Sequence, residues 1–147
     1  EMGRSFGEEL GWRGFLSPAL SDRFGLEVGG LASGAIWGLW HVPLFLAIGF
    51  GTLPAPYALA CFLVSTTSLG YVLAWTRAQS GSVWPAAVVH SVHNALLYPL
   101  FEMNTAPAGT ATAYATGETG FALASVNLVF ALLVWRSTRN KGNIATA

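Results

Sequence analysis

Long runs without any acidic or basic side chain alternate with short polar stretches along the 147-residue chain. Three uncharged runs cover residues 29–50, 57–76 and 82–101, and a shorter apolar run covers residues 121–135. A helix needs about 20 apolar residues to cross the hydrocarbon core of a bilayer. The pattern therefore predicts three full-length membrane spans and one shorter one.

A glycine-rich apolar segment precedes these runs and predicts a further helix over residues 5–20. Short polar connections are expected between the helices, and a longer exposed loop is expected before the last one. These segments are residues 21–28, 51–56, 78–81 and 102–120. The predicted fold is an all-α transmembrane bundle of about five helices.

Composition agrees with a membrane protein, because only 10% of the residues are charged and the mean hydropathy is +0.51. Soluble domains carry about 25% charged residues. The lipid bilayer is therefore the expected partner, and a net charge of zero gives no sign of nucleic-acid binding. The chain starts at Glu1, and the first motif follows at once, so we expect upstream helices to be missing from this domain.

The distribution of basic residues predicts how the chain is oriented in the membrane. Arg23, Arg77 and the cluster Arg136, Arg139 and Lys141 all fall on one side when the predicted spans alternate, and the opposite loops contain no Lys or Arg. Basic loops favour the cytoplasmic side. We therefore expect a multi-pass cell-membrane protein whose domain covers residues 1–135, followed by a basic cytoplasmic tail over residues 136–147.

The first candidate for chemistry is the pair Glu8-Glu9, two of only seven acidic residues. In a helix, Glu9 and Arg13 are four residues apart and share a face, with the acid on the favourable N-terminal side. Glu8 points about 100° away from that pair. The spacing therefore predicts that Arg13 neutralises Glu9 and that Glu8 faces another partner.

Three histidines are the possible partners of Glu8, namely His41, His90 and His93. At 1.5 Å of rise per residue, Glu8 and His41 lie roughly 18 Å from their predicted cytoplasmic helix ends, and His90 lies roughly 12 Å from its own. Asn94 is four residues after His90 and shares its face. Ionisable groups at one membrane depth indicate a functional site.

Two hydrolytic chemistries fit this set of side chains. Glu8, His41 and His90 could hold a Zn²⁺ ion with one position open for water. Alternatively, Glu8 with His41 could activate a water directly, while His90 and Asn94 stabilise an oxyanion. Taken singly, each histidine and the amide could instead be an interhelical hydrogen-bonding residue.

The motifs Glu8-Glu9-x-x-x-Arg13, Trp37-x-x-x-His41 and His90-x-x-x-Asn94 resemble, in order and spacing, those of the CAAX prenyl protease and bacteriocin-processing family, also called CPBP or Abi. The resemblance spans residues 1 to about 100. One departure is Trp37, where the family more often has Phe. The family consists of intramembrane proteases, and its bundle normally has more helices than this chain.

The resemblance implies a role for each matched residue. Glu8 and His41 would activate the attacking water, and His90 and Asn94 would form the oxyanion site. Glu9 and Arg13 would support that site. The resemblance leaves the need for Zn²⁺ open.

The sequence therefore predicts an intramembrane endopeptidase that hydrolyses a peptide bond of a membrane-tethered protein or peptide. The first alternative is a non-catalytic membrane scaffold or a bacteriocin self-immunity protein. The second is a part of a transporter, in which Glu8 and the histidines relay protons.

Overall fold

A computed structural model describes residues 2–97, 103–104, 106 and 109–145 of the chain. The ordered elements of this part are helices, and it contains no strand. They are α1 (Met2–Gly11), a π-helical turn (Trp12–Leu16), α2 (Ser17–Ile48), α3 (Ala55–Ser80), α4 (Trp84–Leu96), α5 (Thr110–Ala115) and α6 (Phe121–Ala145). The predicted all-α fold is confirmed. Within the described residues, three helical segments are long and apolar enough to cross a membrane: Met2–Ile48, Ala55–Ser80 and Phe121–Arg139.

The predicted polar connection at residues 21–28 is wrong, because these residues are helical on both sides of a single break. The break lies at Gly25, whose φ of 81° and ψ of 158° are not helical. A positive φ suits glycine, which has no Cβ to clash. A side chain at Gly29 would collide with the backbone of Ser21, so the two arms of α2 meet closely at this corner.

The first predicted helix does not end at residue 20, because the chain stays helical through Pro18. A π-helical turn lies just before that proline and makes this possible. Proline lacks the N–H of a regular helix and clashes with the carbonyl four residues earlier. In the wider turn, the backbone N–H of Ser17 bonds instead to the carbonyl of Trp12, five residues back. The extra residue of a π-turn thus lets the chain stay helical up to Gly25.

Helices α2 and α3 approach closely along a row of small residues. A Cβ on Gly34 would lie 2.7 Å from the carbonyl oxygen of Thr67, and a Cβ on Gly38 would collide with Thr66. Close backbone approach of this kind drives helix association in membranes. Helix α6 joins α3 through a buried hydrogen bond, 2.8 Å from Asn127 Nδ2 to Ser65 Oγ.

The C-terminal half departs from the sequence prediction at three places. Residues 82–101 were predicted to form a full-length span, but within the described residues they form the 13-residue helix α4, which is not among the three segments able to cross a membrane; residues 98–101 lie outside the described part. The predicted loop at 102–120 contains the short helix α5, and α6 continues well beyond residue 135 to Ala145. The last helix is therefore longer than the apolar run that predicted it, because it continues through the basic residues that follow that run.

The outer surface of the bundle is rich in large apolar side chains, and an ion pair lies in its interior. Large apolar side chains such as Leu39, Trp40 and Phe130 are exposed, whereas Glu9 and Arg13 are fully buried. A surface of this kind suits lipid, and charges buried inside it must be paired.

We expect Gly70→Ala to destabilise the bundle by about 1–3 kcal/mol, because a methyl group there overpacks the crossing of α2 and α3. The new Cβ would collide with Gly34 and lie 3.3 Å from the guanidinium of Arg13. Thermal unfolding in detergent measures the loss. Gly11→Ala is the matched control, because no heavy atom lies within 4 Å of its added Cβ. Equal unfolding temperatures for the two variants would contradict the close crossing.

Candidate active site

The buried centre of the site is the ion pair between Glu9 and Arg13, one turn apart where α1 passes into the π-helical turn. Arg13 Nη1 donates to Glu9 Oε1 over 2.6 Å, and both side chains are completely buried. The predicted pairing is confirmed. A charge-assisted bond of this length offsets part of the cost of burying both charges.

Glu9 also holds His90, which α4 brings in from 81 residues further along the chain. His90 Nδ1 lies 2.9 Å from Glu9 Oε1, the oxygen that Arg13 contacts. A carboxylate paired with an arginine only accepts hydrogen bonds, so Nδ1 is the protonated nitrogen. The bond fixes the ring of His90 and leaves its Nε2 for other partners.

Glu8 is held by α2 instead, since the indole Nε1–H of Trp37 donates to Glu8 Oε2 over 3.2 Å. Glu8 is half-buried, and Glu9 behind it is fully buried. The two neighbouring carboxylates therefore have the different surroundings that the sequence predicted. Glu9 belongs to a buried ionic cluster, and Glu8 faces open space.

His41 lies one helical turn after Trp37 and bonds to the backbone of that residue. The distance from His41 Nδ1 to the carbonyl oxygen of Trp37 is 2.9 Å. A carbonyl only accepts, so Nδ1 carries the hydrogen and Nε2 carries the lone pair. His41 is thus fixed in the tautomer whose Nε2 can accept a proton.

Glu8, His41, His90 and Asn94 all line one cavity of about 330 Å³. Helices α1, α2 and α4 supply these four side chains, and α3 closes the wall with Phe62, Ser65, Thr66 and Leu69. A concave site with a few convergent polar groups in apolar walls is typical of a ligand or substrate site. The structure therefore brings together the residues that the sequence selected.

His93, one of the three histidines that the sequence offers as partners of Glu8, lines the same cavity. Its Nδ1 lies 3.3 Å from the side-chain oxygen of Asn94. With the Asn94 oxygen taken by this contact, the amide NH₂ group is the part that can donate into the cavity.

The alternative zinc site requires Glu8, His41 and His90 to converge on one point. Among the residues that the structure describes, no group of three or more His, Cys, Asp or Glu side chains could hold a metal ion. The Nδ1 atoms of both histidines are engaged, one by a carbonyl and one by Glu9, so Nε2 is the nitrogen of each ring that would face a metal ion. The zinc site therefore stays a prediction for metal analysis to test.

Sequence analysis missed two contacts of this site. It linked Glu9 only to Arg13, because the partner His90 lies too far along the chain for spacing to reveal it. It also assigned no contact to Trp37, although Trp37 lies four residues before His41 on the same helix face. That spacing was the signal that could have placed Trp37 in the site.

A helical bundle with three segments long and apolar enough to cross a membrane is typical of a multi-pass membrane protein. Residues 2–96 match the model of the Rce1-like family of type II CAAX prenyl endopeptidases, and the chain belongs to this family. The membrane location of the family supports a bilayer environment.

A match to one curated relative covers a short segment of both proteins. CAAX prenyl protease 2 of Methanococcus maripaludis is 46% identical to this chain over 37 residues, which are 25% of this chain and 14% of the relative. The match thus covers a small part of the length of that relative. No solved structure matches the chain.

Proposed function

We propose that this chain forms the catalytic part of an intramembrane endopeptidase that hydrolyses a peptide bond of a membrane-tethered protein or peptide. The observation that carries the proposal is the convergence of Glu8, His41, His90 and Asn94 on one cavity. Membership of an endopeptidase family supports the reaction class.

In the proposed reaction, Glu8 and His41 activate the attacking water. Trp37 occupies Oε2 of Glu8, so the water bonds to Oε1 and to Nε2 of His41. As the water attacks the substrate carbonyl, its proton passes to one of these two bases. The same proton is then available to the amine that leaves when the peptide bond breaks.

His90 and Asn94 face the carbonyl oxygen of the substrate, which becomes negatively charged when the water attacks. The amide NH₂ of Asn94 donates one hydrogen bond to this oxyanion. His90 donates another from Nε2 as an imidazolium, whose positive charge the buried Glu9 stabilises through Nδ1. Donors placed before the reaction stabilise such a charge strongly, because they do not have to reorganise.

Arg13 supports the site without touching substrate. It holds the carboxylate of Glu9 in place, and its guanidinium lies 4.6 Å from the centre of the Trp37 ring. No step of the proposed mechanism passes through a metal ion.

The substrate is a peptide held at the membrane by a lipid group. Leu44, Phe62 and Leu69 give the cavity an apolar portion, and the outer faces of the helices suit contact with lipid. The printed name of the archaeal relative, a CAAX prenyl protease, supports a prenylated C-terminal segment as the first substrate to test. The end of the bundle where Arg139 pairs with Glu27 over 3.7 Å would face the cytoplasm.

The full-length protein in liposomes tests the proposal with two matched peptides, one farnesylated at its C-terminal cysteine and one without the lipid. We expect cleavage of the lipidated peptide and little cleavage of the other. A parallel chelator-treated sample, with zinc measured per chain, tests the metal. Failure to cleave either peptide would favour the non-catalytic scaffold. Loss of activity on chelator treatment, with one zinc per chain in the untreated protein, would support the zinc site.

A further inference from the structure

We infer that Trp37 is a positioning residue, whose indole N–H holds one oxygen of Glu8 and thereby presents the other oxygen to the cavity. The inference rests on the proposed function, in which Glu8 is the base. The contact that carries it is the 3.2 Å bond from Trp37 Nε1 to Glu8 Oε2, which joins the middle of α2 to α1.

The indole ring is itself held firmly. Trp37 is 5% exposed and packs in one apolar cluster with Leu69 and Leu73 of α3 and Ala86 of α4. Side chains of α3 and α4 thus pack against the ring. A donor on a ring that cannot turn imposes its direction on the flexible carboxylate that it contacts.

Three further side chains that lie against the indole ring belong to the candidate site. The guanidinium of Arg13 lies over the indole face, 4.6 Å from its centre. The rings of His90 and His41 meet the indole nearly edge-on, at centroid distances of 5.1 Å and 5.9 Å. Trp37 therefore connects the buried ionic cluster to the two groups assigned to water activation.

Phenylalanine at this position separates the aromatic packing of the indole from its N–H hydrogen bond. Its ring retains aromatic contact with Arg13 and the histidines, but it has no N–H to donate to Glu8. The carboxylate would then sample several rotamers in a half-buried position, and only some would place an oxygen beside His41. Catalysis depends on such placement to within a fraction of an ångström.

The first test is Trp37→Phe in the full-length protein, with kcat and KM measured separately on the lipid-tethered peptide. A bond to a charged group corresponds to a loss of at least about tenfold, so we expect kcat to fall by about that factor at unchanged KM. Trp40→Phe is the matched control. It makes the same change three residues later in α2, at a side chain that is 72% exposed and contacts the ring of Trp12.

Unchanged kcat in Trp37→Phe would overturn the inference. So would a parallel loss of kcat, substrate affinity and thermal stability, because that pattern describes a residue that only supports the fold. The expected pattern is a loss confined to kcat, with Trp40→Phe like wild type.

A second readout does not depend on cleavage. In ¹⁵N spectra of the protein in detergent, the indole signal missing from Trp37→Phe identifies the Trp37 N–H. We expect Glu8→Ala to shift this signal and speed its hydrogen exchange, with the Trp40 signal unchanged. If the wild type cleaves nothing, the proposed function fails, and this measurement alone tests whether the Trp37 N–H bonds to Glu8. A Trp37 indole signal whose position and exchange rate are unchanged in Glu8→Ala would overturn the inference.

Discussion

Glu8→Gln is expected to lower kcat/KM for cleavage of the lipid-tethered peptide by about 10³-fold, the usual scale for loss of a general base. Glutamine has the shape of glutamate and can still accept the Trp37 N–H, so insertion and folding should survive. It cannot take a proton from water. A steady-state cleavage assay on purified full-length protein measures the loss.

Glu27→Gln is the matched control for this prediction. Glu27 pairs with Arg139 at the end of the bundle, with 45% of its side chain exposed, and it does not line the site cavity. The same charge is removed in both variants, so only the position differs. Equal activity of the two variants would remove Glu8 from the reaction and favour a scaffold. An altered pH dependence of ion flux in Glu8→Gln would favour the transporter alternative.

Arg13→Met is expected to destabilise the protein by about 3–5 kcal/mol, because it leaves the carboxylate of Glu9 buried without its strongest partner. Both side chains of this pair have no exposed surface, so water cannot replace the guanidinium. Methionine fills much of the same volume, which makes the lost charge the main change. Thermal unfolding in detergent, followed by helical circular dichroism, reports the effect.

Arg23→Met provides the control, because Arg23 is exposed near the Gly25 corner and its removal should change stability by about 0.5 kcal/mol or less. The double variant Glu9→Gln/Arg13→Met tests the cause. It removes both charges and should regain part of the stability, while cleavage stays impaired because His90 has lost its carboxylate. A double variant no more stable than Arg13→Met would show that packing, and not the unpaired charge, dominates.

Local spacing was enough to predict the parts of the site that lie on single helices. Glu9 and Arg13 are four residues apart and do form a pair, and the rise per residue grouped Glu8, His41 and His90 in one layer of the membrane. They do line one cavity. These inferences need only helix geometry, which is the same in every helix.

The missed features depend on contacts between segments that are far apart in the sequence, or on one backbone angle. The bond from Glu9 to His90 requires the packing of α1 on α4, which no periodicity encodes. The polar residues around Gly25 were taken as a loop, because polarity does not distinguish a loop from two helices that meet at one glycine. The indole bond from Trp37 to Glu8 likewise depends on how α2 packs against α1.

The central claim is that Glu8 activates a water that attacks the peptide bond directly. A single-turnover cleavage in H₂¹⁸O, analysed by mass spectrometry of both product and enzyme, tests it most directly. The account predicts one ¹⁸O atom in the new carboxyl group of the product and none in the enzyme peptide that contains Glu8. Label in that enzyme peptide would contradict the account, because it would mean that Glu8 attacks the substrate and forms a covalent intermediate.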